Sequence, residues 1–372
     1  MKRYILLLVL FIQTFQKSDV YFTKEITPEK IVEMFKKLDV KLEGNVGLKV
    51  HTGEQEGPYF LRPKFLEKIY EHTNGTFIEC NTAYLSGQRH LTNLHRETLE
   101  INGWTKYRHV LMDENDGTDV KLDVENPHNI SVNYVGEHLN KFDSCLVLAH
   151  FKGHPMGGFG GAMKQLSIGF ASRAGKAYIH SGGTTLNYSQ CWSQKATQLD
   201  FTAAMADAAS TIVKYFKQRK GIVYINVLAN ISKVCDCGGK AAPPPKVRDI
   251  GILASTDPIA IDKACYDLIV KEDTEGSKDW VNQAETLLGL NTLKVGEQLG
   301  LGSMDYKLID VDKDLWYVYY SIIPLVSVIL IAIIVIAIVI YIKKRKNVPP
   351  PLPEKAGEDD GLLGDAVISK AE

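Results

Sequence analysis

The groups able to do chemistry are concentrated in one segment, LAHFKGHPMGGFGGAMKQLSIGFASRAGKAYIH, from Leu148 to His180. An apolar run feeds straight into His150, Lys152 and His154. Four glycines in five positions follow, Gly157, Gly158, Gly160 and Gly161, and then Lys164, Arg173, Lys176 and His180. Glycines let backbone N–H groups approach a ligand closely, and the cations favour an anionic one. A histidine supplies a base near neutral pKa for removing a proton α to a carboxylate or carbonyl. Arg173 and Lys176 suit a bound anion, whether substrate or cofactor phosphate. The loop is not a Walker A motif, because Lys164 stands three residues beyond the last glycine with no Ser or Thr after it. It is not a dinucleotide fingerprint either, since Met163 occupies the third glycine position. The competing reading is a glycine-rich packing turn flanked by solvated cations.

Smaller clusters sit at other strand ends. His51 and Glu54 in KVHTGE are placed to converge on the same cleft, as are Asp257 and Asp262 in TDPIAIDKA, although Asp257 followed by Pro258 reads first as a helix N-cap. Cys235 and Cys237 flank Asp236 in CDCGG. A bridge between the two would be strained, so they pair elsewhere, bind a metal or stay reduced. Cys145 in SCLVLAH fits a small apolar residue in a buried strand.

The elements that must position these groups alternate. Asn45–Val50, Thr76–Cys80, Val110–Met112, Cys145–Ala149, Gly221–Leu228 and Ile250–Ala254 read as strands. Arg62–His72, Leu91–Ile101, Asp200–Gln218 and a segment opening at Asp257 read as helices. This order predicts an α/β fold, a mixed or mostly parallel sheet flanked by helices, in one large or two closely packed lobes. In such folds sites gather at the carboxyl ends of strands.

The two ends of the chain imply a membrane topology. Lys2 and Arg3 precede an apolar run from Tyr4 to Ile12, a pattern that predicts a signal peptide over residues 1–18. Tyr319 to Ile342 is uncharged; its 24 residues as a helix would reach about 36 Å, against a hydrocarbon core of about 30 Å. Lys343, Lys344, Arg345 and Lys346 follow at once, which places the C-terminus in the cytosol. The expected organisation is a luminal or extracellular domain over 19–317, a transmembrane helix over 318–342 and a disordered tail over 343–372. This is a single-pass type I protein of the plasma membrane or an endomembrane. In the tail, VPPPLP is either a docking segment for a proline-reading domain or a solvated spacer.

Across 372 residues the formal charge is -1, with basic and acidic residues interspersed, which argues against nucleic acid as a partner. Six cysteines are few for so long a chain, so the hydrophobic core, not a disulfide framework, must hold the fold. Asn74, Asn129, Asn187 and Asn230 head glycosylation sequons.

Four runs carry a resemblance: VGLKVHTGEQEGPYFLRP, HFKGHPMGGFGGAMKQLSIGFASRAGK, INVLANISKVCDCGG and DIGILASTDPIAIDKA. In this order they resemble the prokaryotic domain of unknown function 362 family over about Gly44 to Asp310. Many members of that family carry a ferredoxin-like insertion with two four-iron clusters after the position of His180. Here only SGGTTLNYSQCWSQKATQL stands there, with Cys191 as its sole thiol, so four-iron clusters are not expected. The CDC motif is shared with the family. More distantly, His154, Lys164 and His180 around the glycines are similar to the nickel-pincer lactate racemase superfamily. That resemblance implies His154 as the proton-transfer residue, Lys164 as the covalent anchor of a pyridinium nucleotide, His180 as a nickel ligand and the glycines as its phosphate cradle. Two functional classes follow. One is a membrane-anchored, cofactor- or metal-dependent enzyme acting on a small carboxylate or hydroxy acid. The other is a surface binding or adhesion protein that keeps the fold without the catalysis.

Overall fold

In the computed structural model, which describes residues 17–115, 117–190, 192–234, 236–313, 320 and 322–346, the two longest strands lie side by side and are buried throughout. They belong to a main sheet built in chain order from β1 (Ser18–Thr23), β2 (Val46–Lys49), β3 (Thr76–Glu79), β4 (His109–Leu111), β7 (Ser144–His150), β10 (Ile222–Leu228), β11 (Gly251–Ser255) and β12 (Tyr306–Asp310). Two hairpins stand apart from it, β5 (Val120–Asp123) with β6 (Val132–Val135), and β8 (Lys152–His154) with β9 (Gly158–Gly160). The spatial order of the eight-stranded sheet is β12-β1-β11-β10-β7-β2-β3-β4. Only β11 runs against its neighbours, so the sheet is mostly parallel, as expected.

The apolar character of β7 and β10 follows from cover on both faces. Because side chains alternate along a strand, Cys145, Val147 and Ala149 enter one core with Tyr224 and Leu228, while Leu146 and Leu148 enter the other with Val223, Ile225 and Val227. The first face is covered by the alanine-rich helix Gln198–Lys217, through Ala206, Ala209, Ile212 and Phe216, and by Pro258–Lys271. The second is covered by Pro28–Lys37, through Ile31, Met34 and Phe35, and by Pro63–Thr73, through Leu66 and Ile69. Each of these four helices starts where the sequence can start one. Pro28, Pro63 and Pro258 stand at a first-turn position, and the side-chain oxygens of Thr27, Thr197 and Asp257 accept hydrogen bonds from first-turn N–H groups.

Residues 1–313 form one compact unit and residues 314–372 a second. The first unit is therefore one large body, not two lobes. Its opening strand begins at Ser18, the last residue of the expected leader; residues 1–16 lie outside the described residues. In the second unit, Ile323–Arg345 is a helix long and apolar enough to cross a membrane. The proline-rich tail, the cysteines Cys191 and Cys235 and the side chain of Cys237 also lie outside the described residues.

Candidate functional site

The sheet order creates a crevice. From β2 the chain moves outward through β3 to β4, then returns to place β7 on the other side of β2 and continues to β10. The loops leaving β2 and β7 therefore diverge, the place where open α/β sheets bind ligands. A cavity of about 340 Å³ lies here. His51, Glu79, Thr82 and Arg89 line it from the β2 and β3 side, and His150, Lys152, His154, Lys164, Lys176 and His180 from the β7 side.

The segment after β7 folds back at once into the β8–β9 hairpin, pairing Lys152 with Gly160 and His154 with Gly158. It then turns into the one-turn helix Ala162–Lys164 and the π-helical turn Gln165–Gly169. Two of its glycines are demanded by packing. Gly158 has φ +77, and a Cβ there would meet the Ala284 carbonyl oxygen at 2.9 Å; a Cβ on Gly161 would meet Asp262 Oδ1 at 2.3 Å. Asp262 is the post that holds this turn. Its carboxylate accepts N–H bonds from Ala162 (2.8 Å) and Met163 (2.9 Å) and an amide bond from Asn226 (2.7 Å), and burial raises its pKa to about 6. Asp262 thus supports the site from beneath. Asp257 is the helix N-cap, accepting from the Ile259 and Ala260 amides at 2.8 and 2.9 Å.

The charges are arranged in buried clusters. Asp236, between the two cysteines of the CDC motif, accepts from His150 Nδ1 at 3.0 Å and pairs with Lys152. Burial alone would raise its pKa, but the His150 and Lys152 charges hold it well below the carboxylate range. The other ring nitrogen of His150, Nε2, faces the Ala229 carbonyl oxygen at 2.6 Å. Each ring nitrogen therefore faces a protein oxygen. On the opposite wall Lys49 Nζ donates to Glu79 at 2.7 Å, to Gln165 at 2.9 Å and to the Val50 carbonyl at 2.6 Å. Burial would raise the Glu79 pKa, yet Lys49, His51 and Arg89 drive it far down. Arg89 also donates to Glu54 at 2.9 Å.

Two further cleft histidines, His154 and His180, hold opposite tautomers. His154 Nδ1 accepts the backbone N–H groups of Met156 (3.2 Å) and Gly157 (2.9 Å), which puts its proton on Nε2. His180 Nδ1 lies 2.6 Å from the Lys176 carbonyl oxygen and must donate to it, which leaves the lone pair on Nε2. The His180 ring stacks on Phe201 at 4.9 Å and meets the edge of Trp192 at 5.3 Å. Burial, with repulsion from the Lys164 and Lys176 ammonium groups, lowers its pKa to about 3 against the pull of the Lys176 carbonyl.

Lys176 is buried and donates to the Ala171 carbonyl oxygen at 2.6 Å; half-buried Lys164 has no hydrogen-bond partner among the described residues. Neither ammonium has a carboxylate within ion-pair reach among those residues. Thr82 Oγ1, enclosed in the same cavity wall, likewise has no hydrogen-bond partner there.

The structure therefore brings His154, Lys164, Lys176, His180, Gly160 and Gly161 into one cavity, together with His51 and His150, and leaves Gly157, Gly158 and Arg173 outside its lining. The Arg173 guanidinium lies over the Tyr188 ring at 3.5 Å, and its backbone N–H donates to Asp113. Among the described residues no three His, Cys, Asp or Glu side chains come together as a metal set. Cys80, Cys145 and Cys265 are buried free thiols. Sequence reading missed Glu79, Thr82, Arg89, Asp236 and Trp192. Glu79 alone left a signal, an acid closing the apolar strand TFIE.

A mostly parallel α/β sheet with a charged crevice at its switch point defines the class of protein. The chain belongs to the family described as "Domain of unknown function (DUF362)", whose model matches residues 46–267. Among solved structures, the lactate racemase apoprotein from Thermoanaerobacterium thermosaccharolyticum is similar at 10% identity and TM-score 0.39, covering 67% of this chain and 57% of that one. A protein from Thermotoga maritima is similar at 13% identity and TM-score 0.35, covering 73% of this chain and 59% of that one. The chain thus spans less than two thirds of either structure's length. No curated protein matches the sequence.

Proposed function

We propose that the crevice binds a small anion, a carboxylate or a phosphate-bearing compound, between its two walls. The observation that supports this is the pair of ammonium groups, Lys164 and Lys176, that line one cavity with no carboxylate oxygen within 4 Å among the described residues; Asp113 and Glu79 feel the Lys176 charge only from farther off. A buried charge is costly unless paired, and a ligand oxygen would complete both lysines. His180 offers an Nε2 acceptor and Thr82 a hydroxyl to the same ligand. In the enzymatic form of this reading, the substrate is a small carboxylate or hydroxy acid and His154 and His180 handle its proton. A racemase-type pyridinium cofactor fits at two points, the Lys164 amine as attachment and the His180 lone pair as metal donor, and would supply an electron sink. The metal role of Cys235 and Cys237 belongs to the same reading. A second reading, a binding protein without catalysis, is favoured by the His180 pKa of about 3, which makes that ring a weak base at neutral pH.

We further propose that the helix Ile323–Arg345 anchors the chain as a single-pass type I surface protein with its cleft outside, since Lys343 to Lys346 follow the apolar stretch. Protease added to intact cells should then remove an epitope in the sheet domain and spare a tag after Glu372; loss of the tag reverses the orientation. Calorimetric titration of the detergent-solubilised full chain with inorganic phosphate and with lactate tests the cleft. Binding of either probe that is lost in Lys164→Met and Lys176→Met supports the anion site, and binding unchanged in both variants refutes it. Exchange of the lactate Cα hydrogen with deuterated solvent separates the enzyme from the binding protein.

A further inference from the structure

The cavity is larger than a bare anion and its lining is part charged, part apolar. About 340 Å³ is roughly ten times the ≈30 Å³ share of one liquid water, so phosphate or acetate fills only a fraction. Besides the lysines, Pro155, Met156, Ile168 and Trp192 give the cavity an apolar part of its lining. Trp192 is the notable member. It is 43% exposed, yet its ring edge is set against His180, which is itself stacked on Phe201. His180 also feels the charges of Lys164 and Lys176, so the aromatic and cationic parts of the lining meet at that one ring.

Resting on the anion-binding reading above, we infer that the ligand is an anion with a planar or apolar organic body, and that Trp192 is the residue that selects for that body. The anionic head is held by Lys164 and Lys176. The body lies along Trp192, Met156 and Ile168, covering apolar surface that is otherwise wet. A large, rigid indole in the cavity lining loses little conformational freedom on such contact.

The test compares inorganic phosphate with phenyl phosphate, by calorimetry on the full chain in detergent. The wild type should bind phenyl phosphate about tenfold more tightly, the scale of one aromatic contact plus partial burial of a ring. Trp192→Ser should remove that preference, read as the ratio of the two affinities, and Trp192→Phe should keep most of it. Equal affinity for the two probes in the wild type, or a preference that survives Trp192→Ser, overturns the inference and leaves the anion site standing. Failure of both probes to bind overturns the anion site and the inference together.

Discussion

Acid should weaken this protein through His180 in a way that one substitution removes. Folding takes the ring from an ordinary pKa of 6.5 to about 3, first by burial and then by neighbouring groups that include the Lys164 and Lys176 ammonium groups. A base with a depressed folded pKa contributes its stability above the unfolded value and loses it as pH falls from 6.5 toward 3. At pH 4.5 the unfolded chain has protonated this histidine and the folded chain has not, a differential of about 3 kcal/mol at about 1.4 kcal/mol per unit. That is a sizeable part of the roughly 5–15 kcal/mol that holds a domain folded. His180→Gln cannot titrate. It also loses the contacts with Phe201 and Trp192, so the quantity to compare is the pH dependence and not stability at one pH. Glu79 and Asp236, whose folded pKa values are depressed, lose stability in the same direction on acidification, but equally in both proteins, and cancel in the difference. Urea unfolding of the detergent-solubilised chain, followed by intrinsic fluorescence at pH 7 and pH 4.5, should show the wild type losing about 3 kcal/mol more than the variant. Equal losses would mean that His180 is not a buried neutral ring, and the tautomer assigned from the Lys176 carbonyl would fall with it.

Gly161→Ala should cost about 3 kcal/mol or more, because the added carbon lands 2.3 Å from Asp262 Oδ1 and breaks the post under the site. Gly157→Ala meets nothing closer than 3.5 Å and should cost less than about 1 kcal/mol, so thermal unfolding of the pair separates packing glycines from tolerant ones. Of the four sequons, Asn74, Asn187 and Asn230 are exposed, whereas the Asn129 side-chain oxygen is enclosed. Peptide mapping of protein from a glycosylating host should find glycan on the first three positions and none on Asn129.

The central sheet was legible because burial on both faces leaves an unambiguous trace. Cys145–Ala149 and Gly221–Leu228 became Ser144–His150 and Ile222–Leu228, and the Asp257-Pro258 helix start was found at its residue. The outer strands left no such trace. Ser18–Thr23 abuts the leader pattern, Tyr306–Asp310 is half charged, and the Lys152–His154 hairpin is built from a glycine-rich stretch that reads as loop. At the site, the cluster from His150 to His180 could be read because it is contiguous. The opposing wall could not, since Glu79, Thr82 and Arg89 come from a different part of the chain and reach the cleft only through the parallel pairing of β2 with β3 and β7. The glycines divided between the two expectations: Gly158 and Gly161 are required by packing, and Gly160 and Gly161 also line the cavity. Arg173 was grouped with the cleft cations by its spacing, but its guanidinium stacks on Tyr188.

The claim that the crevice is an anion site is tested most directly by anomalous diffraction from crystals of the full chain soaked in tungstate. The account predicts a strong peak inside the cavity, within about 3–4 Å of Lys164 Nζ or Lys176 Nζ, the reach of a charge-assisted hydrogen bond. An empty cavity, with tungstate bound only elsewhere and both ammonium groups paired to carboxylates of the protein, would contradict it.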